Sequence, residues 1–129
     1  MTGGFEDQNR RRRAFRFGVR AESYAVWILG LKNHLILAQR FRSPVGEIDI
    51  VAVRASLLVF LGIKARPRRN TATMSLSARQ QRRIQRASAL YVARHPALAR
   101  LHQRFDMVLV QLRRLPEHLR DAWRPRSAF

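Results

Sequence analysis

The sequence contains no cysteine. Disulfides, thiolate nucleophiles and every zinc site built on thiolates are excluded at once, so a metal would have to rest on carboxylates or histidines. Acidic residues are scarce too: 8 stand against 26 lysines and arginines in 129 residues, a formal charge of +18. A charge of that size repels itself and attracts polyanions. Only two of the basic residues are lysines, Lys32 and Lys64; codon bias can produce that ratio, but not the net charge. Long apolar runs are also missing, none approaching the roughly 18 residues that cross a bilayer. Residues 1–20 carry Glu6, Asp7 and the run Arg10 to Arg13 with no apolar centre, unlike an ordinary secretory signal. A twin-arginine signal is opposed by Glu22 and by the shortness of the apolar stretch Ala25 to Leu31, which ends at Lys32. The expectation is a cytoplasmic protein without a membrane partner. No glycine-rich phosphate loop occurs, no nucleophile elbow surrounds Ser75 or Ser77, and His34, His95, His102 and His118 lack ligand spacing.

An apolar content of 47% in a chain of this length is enough to fill one core. Residues 1–17 read as a disordered basic arm, because Gly3, Gly4, Asn9 and the arginine run offer nothing to bury. The domain is expected over 18–129. From Gly18 the apolar spacing predicts a helix closing near Gly30, with Tyr24 and Trp27 in the core. Leu35 to Arg42 reads as a strand that loses its pattern at the edge, followed by the turn Ser43-Pro44-Val45-Gly46. Glu47 to Val53 alternates, with Ile48, Ile50 and Ala52 on one side and Glu47, Asp49, Val51 and Val53 on the other. Leu57 to Lys64 is apolar throughout, as a central strand is. A second helix from about Ser75 or Ser77 to His95 precedes a strand at Arg104 to Leu112, which a helical crossover allows to pair in parallel. Glu117 to Trp123 is predicted as a short closing helix. The order α-β-β-β-α-β-α describes a three-layer α/β domain whose mixed sheet contains an antiparallel meander.

Residues 50–105 contain no acidic residue and 12 basic ones. A solvated helix face usually mixes signs, since unlike charges one turn apart are mildly stabilising. This segment gives that up, which points to a polyanion-binding face. Phe41, between Arg40 and Arg42, is the plausible site for stacking a base. Against this field, Glu47 and Asp49 share a strand, with Lys64 on the neighbouring one. Carboxylates that hold a hard divalent ion beside a lysine are what phosphodiester hydrolysis requires. The same spacing also suits plain cross-strand pairing of Glu47 or Asp49 with Arg42 or Arg54.

Five segments carry a resemblance: Gly18-Val19-Arg20-Ala21-Glu22, Gly46-Glu47-Ile48-Asp49-Ile50-Val51, Leu58 to Arg66, Arg104-Phe105-Asp106-Met107-Val108, and Pro116 to Trp123. Over residues 18–123 the chain resembles the YraN-like family of small bacterial proteins. That resemblance implies the fold of Holliday-junction resolvases and restriction-type (PD-(D/E)xK) nucleases. It implies Glu22 as the acid of the first helix, Asp49 as the strand metal ligand and Lys64 as the lysine of the Glu-x-Lys signature, with DNA favoured over RNA. The glutamate of that signature falls at position 62, where this chain has Gly62. A magnesium ion would then depend on Asp49 with Glu22, Glu47 or water.

The resulting expectation is a nucleic-acid-binding protein on a nuclease-like fold with a degenerate site, contacting phosphates through Arg66, Arg68, Arg69, Arg79 and Arg83. The alternatives are an active magnesium-dependent endonuclease in which Glu22 or Glu47 replaces the missing ligand, and a basic module that docks onto an acidic protein. A basic arm adds phosphate contacts without adding core. Deleting residues 1–17 should therefore weaken nucleic-acid binding in a filter or mobility-shift assay and leave the thermal midpoint unchanged. A fall of several degrees would show that the arm packs on the domain.

Overall fold

The computed structural model describes residues 21–66 and 75–125. The arm, Gly18 to Arg20, Arg68 and Arg69 lie outside them. Helix α1 is described over residues 21–31 and is followed by β1 (Leu35–Ser43), β2 (Gly46–Arg54), β3 (Leu57–Arg66), α2 (Ala78–Arg94), β4 (His102–Gln111) and β5 (Glu117–Leu119). The five strands lie in sequence order in one sheet. β1, β2 and β3 form the antiparallel meander, β4 pairs in parallel with β3, and β5 runs antiparallel to β4. The expected order α-β-β-β-α-β is thus observed. Among the described residues no helix is long and apolar enough to cross a membrane.

Two apolar clusters cover the two faces of the sheet, which makes the three layers. Under α1, Ala21, Ala25 and Leu29 meet Ile50, Ala52, Val59, Leu61, Val108 and Val110. Under α2, Ile84, Ala87 and Tyr91 meet Ile48, Val51, Leu58, Phe60, Phe105, Met107 and Leu109. β3 contributes to both clusters, which is why its sequence reads as an unbroken apolar run. Helix α2 is fixed at its start by Ser77, whose hydroxyl accepts from the Gln80 N–H at 3.1 Å, and it buries residues at helical spacing: Ile84, Ala87, Ser88 and Tyr91.

Three local expectations change. The two-residue alternation of β2 slips: Ile48 lies under α2 with Val51, whereas Ile50 and Ala52 lie under α1. The slip falls where β2 leaves β3, since their pairing ends at Ile50 opposite Leu61. Across from Asp49, β1 accommodates the bend at Arg40, which takes a left-handed φ of 54°. The second change concerns Tyr24 and Trp27, which are not core but 46% and 49% exposed. The third is at the end of the chain, where Glu117 to Leu119 form a strand rather than a helix.

The reason for that strand lies beneath it. Without β5, β4 would be an open edge; with it, Met107, Val108 and Leu109 pair with Leu119, His118 and Glu117. The His118 side chain turns fully inward, and its Nε2 lies 2.7 Å from Oδ2 of the buried Asp106. Arg104 grips the same carboxylate through two bonds of 2.7 Å, and the Asp121 N–H donates to it at 2.9 Å. Since the carboxylate accepts, Nε2 donates, and Nδ1 of His118 is left to accept from the Lys32 ammonium at 3.4 Å. His34 stands edge-on to His118 with ring centroids 5.5 Å apart. Local helix propensity at 117–123 is overridden by this buried charge clasp.

Burial alone would push the Asp106 carboxyl up, but the bonds from His118, Arg104 and the Asp121 N–H outweigh it and hold it at about 2, below its ordinary 3.8. A depressed carboxyl stabilises the fold above its unfolded value and loses that contribution as pH falls through the folded value; here it is about 2 kcal/mol, lost between about pH 4 and pH 2. Removing the charge leaves the half-buried Arg104 guanidinium without its carboxylate partner. Asp106→Asn should cost about 3–5 kcal/mol and abolish most of that acid-limb dependence in denaturant melts followed across pH. An unchanged acid limb in the variant would show that other carboxylates carry it.

Candidate functional site

The site begins where the sheet opens. Beyond Ile50 and Leu61, β2 and β3 no longer pair, while β3 continues beside β4 as far as Arg66 opposite Gln111. The half-buried Asp49 bridges the opening: its Oδ2 accepts from the Ile63 N–H at 2.7 Å, a donor the departing strand leaves unmet. Burial raises the Asp49 carboxyl above its ordinary value, the Ile63 N–H opposes this, and the nearby Glu47 and Glu22 add to it.

The other expected ligands are engaged elsewhere. Glu22 accepts from Nε of Arg40 at 2.5 Å. Glu47 faces Arg42, its cross-strand partner, at 3.9 Å and Arg83 of α2 at 3.6 Å, so for Glu47 the cross-strand pairing is the arrangement observed. Lys64 donates through Nζ to the Ser75 carbonyl at 2.8 Å. Burial, followed by the neighbouring Arg66, lowers its pKa. Among the described residues no three of His, Asp and Glu gather where a metal ion could be held.

Position 62 explains why. A Cβ built on Gly62 would lie 2.6 Å from Cδ1 of Leu76 and 2.9 Å from Cδ1 of Ile84. Both side chains are buried, at 4% and 1% exposure. The space into which a side chain at 62 would extend is therefore filled with hydrocarbon. The magnesium ion that the family resemblance implies does not fit these residues: one carboxylate is absent, its place is apolar, and two of the remaining three are tied to arginines.

What the site offers instead is positive charge. Gly46 lets α2 sit directly on β2, since a Cβ there would come within 2.0 Å of the Arg83 carbonyl oxygen. Against that contact lies a groove of about 420 Å³ lined by the turn Ser43 to Gly46 and by Arg79, Arg82, Arg83 and Arg86. Arg79 and Arg83 also line an adjoining groove of about 310 Å³ with Glu47, Asp49, Ser77, Gln80 and Ile84. A third, of about 370 Å³, lies between Arg82, Arg86 and Arg124 and includes Trp123. Of the expected phosphate contacts, Arg79 and Arg83 belong to this surface. Arg66 is half-buried at the end of β3, with Nη1 donating to the Ala65 carbonyl. Arg82 and Arg86 join them; both stand in the acid-free window, and the helical spacing from Arg79 to Arg86 is the signal that groups them. Phe41 is not free to stack, being packed edge-on against Tyr91 at 5.1 Å with Arg94 over its ring.

These features define a three-layer α/β/α protein with a splayed mixed sheet, a half-buried strand carboxylate at its opening and an arginine-lined crossover helix. Residues 21–110 match the family described as "Uncharacterised protein family UPF0102", and the chain belongs to that family, the YraN-like one. It is 47% identical over 112 residues to a UPF0102 protein of Parvibaculum lavamentivorans, covering 87% of this chain and 84% of that one. It is 42% identical over 123 residues to one from a Chelativorans species, covering 95% and 99%. With a Rhizobium etli UPF0102 protein it shares 47% identity over 113 residues, covering 88% and 93%.

The packing over Gly62 has a measurable consequence. Gly62→Glu overpacks the contact and buries a carboxylate among methyl groups, at a cost of about 1–3 kcal/mol or more, while Leu76→Ala costs about 2–5 kcal/mol. Because each change relieves the other, Gly62→Glu/Leu76→Ala should be more stable in urea melts than the sum of the two single variants, by at least about 0.5–3 kcal/mol. Strict additivity would show that Leu76 does not occupy this space.

Proposed function

We propose that this UPF0102 protein binds nucleic acid through the phosphate backbone, on a scaffold of nuclease descent that does not cleave. The observation that supports this best is the row Arg79, Arg82, Arg83 and Arg86, converging with the β1–β2 turn on one groove. Guanidinium groups fork onto phosphate oxygens in pairs, and successive helical turns space them along a strand. Such contacts fix position without reading sequence. The loss of hydrolytic chemistry is supported by Gly62 and the hydrocarbon over it. Asp49 then serves to cap the Ile63 N–H, and Lys64 to tether the segment that leads into α2. DNA is favoured over RNA by the family resemblance alone.

Binding to a duplex should be nearly independent of sequence. It should weaken by about 10³ or more between 50 and 200 mM salt if about six phosphates are engaged. Changing Arg79, Arg82, Arg83 and Arg86 together to Gln should flatten the log–log salt slope by about 3 to 4, with circular dichroism unchanged. A flat salt response in the parent would favour an acidic protein partner instead. Magnesium or manganese should produce no nicking of plasmid DNA. Nicking that Asp49→Ala abolishes would overturn the non-cleaving part of the reading and restore the endonuclease alternative.

A further inference from the structure

A pocket of about 600 Å³ lies at the end of β4, between α1 and the segment that leads to β5. Tyr24 and Trp27 stand three residues apart on α1, so both rings share one helix face, and each is about half exposed. Arg113 and Arg114 line the pocket, with Leu112 and Leu115. Gln111 also lines it; the residue is 5% exposed, and its amide Nε2 is buried without a hydrogen-bond partner. An unmet amide donor in such a place costs about 1–3 kcal/mol, so it needs an acceptor. The register sets the position: Gln111 is the partner of Arg66, so the pocket adjoins the carboxyl end of β3, beyond Lys64.

We infer that this pocket takes an unpaired nucleobase of the nucleic acid bound by the protein, an inference that rests on the nucleic-acid reading above and adds the kind of substrate. Aromatic faces stack on any base, the two guanidinium groups meet its flanking phosphates, and the Gln111 amide donates to a base carbonyl or ring nitrogen. A lipid chain would use the apolar rings but leave the amide unmet, and a neutral peptide could meet the amide with a carbonyl but would leave Arg113 and Arg114 without anionic partners. A base in a duplex presents no face to the rings, so the pocket selects single-stranded or splayed nucleotides.

The test uses the full chain with two labelled probes, an oligothymidylate and a blunt duplex of equal length. Trp27→Ala should weaken the oligothymidylate by about tenfold, within the range for losing one stacked base, and the duplex by less than about twofold. Trp27→Phe should retain single-strand binding, because the stacking face survives. Arg113→Gln/Arg114→Gln supplies a second disruption that leaves the rings in place, and it too should affect the single strand more. In the parent, tryptophan emission should be quenched by the oligothymidylate, and Trp27→Phe should remove the larger part of that quenching, leaving only the share of Trp123 beside Arg82 and Arg86. If Trp27→Ala and the arginine pair affect both probes equally, or neither, the pocket assignment is overturned while the arginine groove stands. If the parent binds neither probe, the nucleic-acid reading falls and the pocket assignment with it.

Discussion

Helix α2 is seated on two residues that have no Cβ. At Gly46 the backbone of β2 meets the Arg83 carbonyl, and at Gly62 the surface of β3 receives the ends of Leu76 and Ile84. The placement of the arginine row on this side of the sheet depends on that seat. A side chain at 46 would drive the helix outward and separate the arginine row from the β1–β2 turn. One at 62 would displace Leu76, which lies immediately before the Ser77 cap and so sets where the helix begins. The residue that stands where the family resemblance places a metal ligand is therefore also one of the two that admit the helix carrying the arginines. On the reading proposed above, loss of one chemistry and close packing of the charged helix would follow from the same missing side chain.

The second constraint is the disposition of the few acids. Glu22, Glu47, Asp106 and Asp121 each pair with arginine. Asp106 sits at 0% exposure, where its charge is met by Arg104 and contributes little to the outer field. The excess of arginine on α2 is consequently not neutralised from within the helix, and its charges lie on a surface whose apolar side is already committed to Ile84, Ala87 and Tyr91. Self-repulsion along such a helix is tolerated because burial, not surface electrostatics, holds it in place.

Legibility in the sequence divides along the range of the interactions. The meander, the crossover and the Ser77 cap are written in local patterns: alternation, apolar runs and a serine before a helix. Gly62 reads as a missing carboxylate only through the family resemblance that the segments Gly-Glu-Ile-Asp and Gly-Ile-Lys carry. What fills its place is not legible, because Leu76 reaches it only through the packing of α2. The misread end has the same cause. Residues 117–123 carry helix-compatible side chains, yet an open β4 edge and a buried Asp106 that needs His118 decide the outcome. Tyr24 and Trp27 look like core because aromatic residues on an apolar helix usually are; Ala21, Ala25 and Leu29 take the buried stripe instead. A single sequence shows which helix positions are apolar, but not which of two competing stripes the sheet covers.

The arginine groove is lined by α2 and the aromatic pocket by α1, which cover opposite faces of the sheet, and Gln111 of the pocket pairs with Arg66 at the carboxyl end of β3. That end of a parallel pair is where ligands of open α/β sheets usually sit. On the proposed reading, a nucleic acid that touches both faces turns around the sheet near the carboxyl end of β3. Bending an intact duplex of 20–30 base pairs by 40–90° costs about 1–6 kcal/mol, whereas unpaired nucleotides turn without that elastic cost. The two halves of the proposal therefore constrain each other: a backbone-binding row on α2 and a base-accepting pocket beside α1 can be filled together most cheaply by a nucleic acid that is paired over one face and unpaired where it crosses the strand ends.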